Sequence, residues 1–191
     1  MPRPIATIDT SVLVSLQVAG LLGKVTVLFE RVLVPVKVRE ELEGSKERSR
    51  DALSAIYEFA IFESCDDYDP ALVKWLLDSR EAANRGRDQG EAEAVIQAAQ
   101  RPESKACMVL VDDQLGREWA KTHSRECHGS IWLCRQLRVN GYLTELRPYF
   151  VRMIEGGQRH PLNEMNNYLQ EFGEAEITDR EYREYSSRPR P

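Results

Sequence analysis

Long apolar runs are missing from this 191-residue chain: no stretch approaches the roughly 20 consecutive apolar positions that a bilayer-crossing helix needs. The start, "MPRPIATID", lacks the apolar core of a secretory signal, so the chain is expected in the cytoplasm with no membrane partner. Cysteine is sparse. Cys65, Cys107, Cys127 and Cys134 form no CxxC spacing and read as reduced structural thiols. His123, Cys127 and His128 lie close together but lack the second ligand pair of a structural zinc site. No GxSxG elbow is present and the 3 histidines fall outside strand ends, which argues against a serine or cysteine hydrolase. Basic charge is not in excess either: Lys+Arg 26 against Asp+Glu 31 gives a net charge of −5. That balance excludes a protein that coats nucleic acid by neutralising phosphates, but not an enzyme that acts on it through a carboxylate pocket with local basic residues. There is no internal repeat.

What is present is ordinary globular material, 42% hydrophobic and 30% charged, at a length that allows one domain with a sizeable core. Ile5 to Asp9 is a β-prone run ending on an acid, with Ser11 as the expected cap of an apolar helix over Val12 to Val18. Beyond Gly20, the apolar stretch Leu21 to Phe29 is expected to be helical, and exposed apolar positions on it would offer a homodimer contact. Arg31 to Pro35 predicts a strand and Val36 to Glu43 a helix ending at Gly44. Ser45 to Arg50 reads as a loop, Asp51 to Tyr57 as a helix and Phe59 to Glu63 as an edge strand. "CDDYDP" marks a turn before a helix over Ala71 to Leu77. A charged, exposed segment, Arg80 to Gln89, leads into "DQGEAEAVIQAAQ", where Ala92, Val95, Ile96 and Ala99 share one helix face. Cys107 to Val111 predicts a strand closed by Asp112 and Asp113. Leu115 to Thr122 is then expected to be helical, and the short stretch Glu126 to Gly129 leads into a helix over Ile131 to Val139. Further helices are expected over Tyr149 to Ile154 and Leu162 to Phe172. Strands alternating with helices predict an α/β fold, a mainly parallel sheet of four to five strands flanked by helices. Residues 1–175 read as one domain and 176–191 as a charged, flexible tail.

In an open parallel sheet, functional groups gather beyond the carboxyl ends of the strands. Asp9 closes the first strand and the Asp112–Asp113 pair closes the strand Cys107 to Val111. Glu91 sits on the helix leading into that strand, and Glu41 on the helix after Arg31 to Val34. Val38 and Leu42 mark the buried stripe of the latter helix; Glu41 borders it while Glu40 turns towards solvent. The bland alternative for Glu41 is a pair with Lys37, worth a few tenths of a kcal/mol. Asp88, Glu91 and Glu93 crowd one helix start, where the dipole alone favours each acid by roughly 0.3–1 kcal/mol. Glu91 and Glu93 are about 200° apart around the helix, so both cannot face the same way, and spacing leaves the choice open. Carboxylates converging without basic partners repel one another unless a divalent cation lies between them. Oxygen-only ligands suit Mg²⁺ or Mn²⁺ better than zinc or copper. A haloacid-dehalogenase phosphatase would want an aspartate where Ser11 stands. A response-regulator receiver would want a late strand-end lysine, and none follows Lys121.

Taken together, "IDTSVL", "VPVKVREEL", "GEAEAVIQAA" and "VLVDDQLGREWA" resemble the PIN-domain nucleases, and "GSIWLCRQLRVNGYL" resembles the following stretch in a branch related to toxins of toxin–antitoxin operons. The likeness runs in order over roughly residues 4 to 155. It implies a PIN-like parallel sheet with an acidic pocket that holds Mg²⁺ or Mn²⁺ and cleaves RNA. By position, the implied catalytic acids are Asp9, Glu41, Glu91 and Asp112, with Asp9, Glu91 and Asp112 or Asp113 on the metal. Ser11, Glu93 and Ser130 are supporting residues. Arg39, Arg117, Lys121 and Arg135 are candidate phosphate contacts, with solvated surface charge as the alternative. Metal ions held there would lower the pKa of a water for in-line attack on phosphorus. An antitoxin-like protein inhibitor is an implied partner, and a catalytically inactive PIN-like binding module is the rival reading. The chain departs from the family's pattern in carrying glutamate after the glycine of "GE", where many relatives have aspartate. Its charged Arg80 to Gln89 stretch and its tail beyond Thr178 also look longer than usual.

Overall fold

In a computed structural model of the chain, residues 3–44, 47–79, 88–102, 107–123 and 125–188 are described. Of the charged segment Arg80 to Gln89, residues 80–87 lie outside them. β1 (Ile5–Ile8) runs into α1 (Thr10–Ala19), which ends on Gly20 in the left-handed conformation, φ 72°. Asp9, not Ser11, caps α1: its carboxylate accepts from Val12 N at 2.9 Å, while Ser11 lies one residue inside the first turn. The next apolar stretch holds only one helical turn, α2 (Leu22–Val25), because the β-branched run Val25, Thr26, Val27 continues a helix poorly. Leu21, Leu22, Val25 and Phe29 of this stretch are buried in the chain's own core, while Val27 and Leu28 are partly exposed.

β2 (Arg31–Pro35) leads directly into α3 (Val36–Gly44). α4 (Glu47–Glu58) starts inside the expected loop Ser45 to Arg50, since Glu47, Arg48 and Arg50 are themselves good helix formers. β3 (Phe62–Cys65) is shifted towards the C-terminus from the expected Phe59 to Glu63, because Phe59 accepts from Phe62 N at 3.0 Å to close a turn. α5 (Pro70–Asp78) begins at a proline in the first turn, capped by Asp69. There follow α6 (Gln89–Ala99), β4 (Cys107–Leu110), α7 (Gln114–Thr122), β5 (Cys127–His128), α8 (Ser130–Val139), α9 (Arg147–Glu155) and α10 (Leu162–Glu171).

Where a loose tail is expected, Asp179–Ser187 forms a further helix, α11. Its sequence is mostly polar and none of its residues is fully buried; Tyr182 and Tyr185, three apart, pack partly against the core, a stripe too short for periodicity to reveal. A cap and polar bonds add to that packing: Thr178 and Glu181 form a reciprocal capping box, Arg147 pairs with Glu181 at 2.7 Å, and the Tyr182 hydroxyl donates to the His160 carbonyl at 3.2 Å.

The five strands form one parallel sheet in the order β3-β2-β1-β4-β5. Alternate residues feed two cores. Ala6, Ile8, Val32, Val34, Met108 and Leu110 pack on the side covered by α1, α8, α9 and α10. Cys107 and Val109 pack on the other side against α5, α6 and α7. Chain order runs outward from β1 through β2 to β3, then resumes on the opposite flank at β4. The reversal therefore falls between β1 and β4, where Ile8 pairs with Leu110. At such a switch point the two following connections diverge and leave a crevice beyond the strand ends.

Candidate active site

That crevice is a cavity of about 890 Å³, and its walls carry Glu41, Asp88, Glu91, Asp112 and Asp113. Asp9 follows β1 directly and is buried beside Asp112 and Glu91, with its N–H on the Leu110 carbonyl at 3.0 Å. It is 1% exposed. Its two oxygens accept from Val12 N at 2.9 Å and Ser11 Oγ at 2.7 Å. Burial, and then the neighbouring charges of Asp112 and Glu91, hold its carboxyl well above the usual carboxylate range. No ion pair among the described residues relieves it.

The doubled aspartate divides its work. Asp112 accepts from Ser130 N at 2.8 Å and Ser130 Oγ at 2.9 Å, with Ser15 Oγ at 3.4 Å and Arg117 Nη2 at 3.9 Å. Asp113 is exposed at the rim and caps α7 through Leu115 N at 2.7 Å. The acids of α6 divide likewise. Glu91 faces the cavity, and burial pushes its carboxyl up to about 7. Glu93, on the opposite side, is 3% exposed and accepts from Lys37 N at 2.9 Å and Gln89 Nε2 at 2.8 Å. It therefore caps α3 rather than its own helix, satisfying one of the donors that a helix start leaves free. Asp88 occupies the N-cap position of α6, but its side chain makes no capping bond.

Glu41 turns inward. Thr10 Oγ1 donates to its Oε2 at 2.5 Å, while its buried Oε1 has no hydrogen-bond partner. Burial raises its carboxyl too. The alternative reading, an ion pair with Lys37, is not formed; Lys37 reaches Glu40 instead, at 3.6 Å. Gly90 permits the approach of α3 to α6: a Cβ there would lie 3.2 Å from the Val38 side chain and 3.5 Å from both Glu41 oxygens.

The four expected phosphate contacts do not line the cavity. Arg39 bonds Ser64 and Glu43, Arg117 bonds the Val111 carbonyl and faces Asp112, and Arg135 makes a two-pronged pair with Glu171. Lys121 is exposed in the last turn of α7, where a cation suits the dipole. His123 and His128 are engaged with the Trp119 carbonyl and Glu126, apart from any zinc arrangement with Cys127. Among the described residues, no three His, Cys, Asp or Glu side chains come together to hold one ion.

Thr10, Ser15, Gln158, Arg159 and His160 belong to this site and escape sequence reading. Ser15 is fully buried, four residues after Ser11 on the same helical face; that spacing is the signal for it. The other wall, Gln158 to His160, lies in the loop "GGQRHP", whose glycines and proline mark a shaped turn.

Gly129 gives a test of how tightly the site is built. Its φ of −110° suits any residue, but a Cβ would overlap Asp112 Oδ1 and Arg117 Nη2. Gly129→Ala is expected to displace the Asp112 carboxylate, cost about 1–3 kcal/mol of stability and lower any activity by roughly 10–100-fold. Thermal melting and a cleavage assay check it; full activity would mean that the position of Asp112 does not matter.

Comparison with known proteins gives one family: a model of the PIN domain matches residues 5–174. No curated protein matches the chain.

Proposed function

The chain belongs to the PIN-domain family, whose members are generally nucleases that use divalent metals, and we propose that it is a Mg²⁺- or Mn²⁺-dependent endoribonuclease hydrolysing RNA phosphodiester bonds. The observation that carries this reading is Asp9, buried at the switch point beside Asp112 and Glu91 with no cation among the described residues paired to it. A fold that needed only a helix cap there would gain from asparagine or serine, which cap as well without charge. The donors fit a hard divalent ion. All are oxygens, Glu41 Oε1 is buried without a partner, and burial, then the neighbouring carboxylates, raises the Asp9 and Glu91 carboxyls. Asp9, Glu91 and Asp112 would hold the ion, with Asp113 at the rim and Glu41 beside them. The chemistry such an ion supplies is activation of water and neutralisation of charge on the phosphate.

This chain's own residues do the rest. Ser130 fixes the orientation of Asp112 through two hydrogen bonds, and Ser11 does the same for Asp9. Glu93 anchors the start of α3 and Thr10 orients Glu41, so each carboxylate is set by a neighbour. A toxin-type role, with an antitoxin-like inhibitor covering the cavity, follows from the resemblance to the toxin branch and is part of the proposal. One observation favours the rival reading of an inactive binding module: among the described residues no three ligands are gathered for one ion. Mg²⁺ keeps several waters, and some of these carboxylates would hold it through water, so that arrangement does not oppose a metal.

The test is cleavage of a mixed RNA pool by the purified protein with Mn²⁺, with Mg²⁺ and with EDTA. Cutting with metal and none with EDTA is the expected result. Metal binding without cutting of any RNA would instead support the inactive module.

A further inference from the structure

We infer that Arg159, held at the cavity rim by the loop Gly156 to Pro161, is the residue that binds the phosphate backbone of the substrate strand. The inference rests on the nuclease reading and names the contact that this reading leaves open. A polyanion entering a cavity walled by Glu41, Glu91 and Asp112 is repelled unless a cation meets it. Among the described residues that line the cavity, Arg159 is the one arginine or lysine. It is exposed, and no hydrogen bond or ion pair with a described residue engages its guanidinium. The arginines nearby are already committed: Arg117 to Asp112 and the Val111 carbonyl, Arg135 to Glu171.

The loop that carries Arg159 is built rather than slack. Gly156 lets the end of α9 close onto α1, since a Cβ there would overlap Val18, and Gly157 turns the chain at φ 83°. On one side of Arg159, Gln158 Oε1 accepts from Ser15 Oγ at 3.3 Å. On the other, the His160 ring is 7% exposed, with Nε2 3.3 Å from Ser15 Oγ and 3.4 Å from Ser130 Oγ. Its carbonyl takes the Tyr182 hydroxyl from α11. The backbone of Arg159 is therefore fixed on both flanks while its side chain pairs with no described residue, and a guanidinium fork matches two phosphate oxygens.

The experiment measures binding of a short labelled single-stranded RNA over a range of KCl, with Mg²⁺ present, in the Asp9→Asn background so that the strand stays intact. Arg159→Ala is expected to weaken binding about tenfold and to lower the salt slope by about 0.7, one phosphate contact. In the otherwise unaltered protein, the same substitution should raise KM and leave kcat nearly unchanged. Arg159→Lys should keep the salt slope and lose part of the affinity. Because Arg159 is exposed and bonds to no described residue, these variants should fold as the parent does, and melting temperatures verify this. RNA binding by the parent that is indifferent to Arg159→Ala would overturn this assignment and leave the nuclease reading standing. No RNA binding and no cleavage by the parent would overturn both.

Discussion

Asp9→Asn is expected to abolish cleavage while leaving the fold intact and raising the melting temperature of the metal-free protein. The two effects come from one side chain with two duties. As a cap, Asp9 offers Oδ1 to Val12 N, and asparagine offers the same oxygen with equal preference at that position. As a charge, it is buried against Asp112 and Glu91, and its carboxyl is raised by burial and by both neighbours. Removing the charge removes a folded-state penalty at pH 7–8, and for a domain of this size each kcal/mol recovered shifts the melting temperature by about 2–4 °C. On activity the direction reverses. Loss of a residue that merely orients a metal ligand typically costs 10–100-fold, so loss of the carboxylate itself should cost at least about a hundredfold. Cleavage rates and thermal melts on the same preparation read both. A variant that loses activity and stability together would place Asp9 among purely structural residues; one that keeps full activity would remove it from the chemistry.

How far the site can be read from sequence depends on which physical constraint sets each residue. Asp9 and Asp112 are legible because a short apolar run ending on an acid needs only the strand-end rule, and the parallel α/β architecture follows from the same alternation of strands and helices. The choice between Glu91 and Glu93 is not legible. Helix periodicity separates the two by half a turn, but the decision belongs to α3, whose free Lys37 N–H draws Glu93 away from the cavity. Which way Asp112 and Asp113 turn depends on Ser130, 18 residues further on, and on the first turn of α7. Basic residues mislead for a related reason. Arg117 and Arg135 look available in one dimension, yet each has an acid waiting for it in three. Arg159 stands in a loop with no periodicity, and α11, which latches that loop, has only Tyr182 and Tyr185 to announce it. What sequence pattern encodes well is the sheet and its ends; what closes the cavity is encoded in caps, pairs and turns.

Glu91→Gln provides the second large effect, in the pH dependence of stability. Burial holds the Glu91 carboxyl at about 7 in the folded chain, with Glu41, Asp113 and Asp88 adding to the rise, against 4.5 for an ordinary glutamate. Below about 4.5 both folded and unfolded chains carry the proton, and the group costs nothing. As pH rises from there to about 7 the unfolded chain releases its proton first, so the folded state is progressively disfavoured, and above about 7 the full penalty is in place. Water reaching this side chain through the open cavity reduces that penalty to about 1–2 kcal/mol. The melting temperature of the metal-free protein should therefore fall across this window, and Glu91→Gln should flatten the fall. Its stabilisation should amount to several degrees at pH 8 and nearly vanish at pH 4.5, a contrast that general acid effects on other groups cannot produce, because both proteins share them. Mg²⁺ or Mn²⁺ should act in the same direction on the parent protein, raising its melting temperature more at pH 8 than at pH 5, since a cation replaces the missing protons only where they have left. The variant should lose most of that response. Equal stabilisation of the variant at both pH values, or a metal response that survives the substitution intact, would show that Glu91 is not among the charges the cavity holds in reserve for a cation.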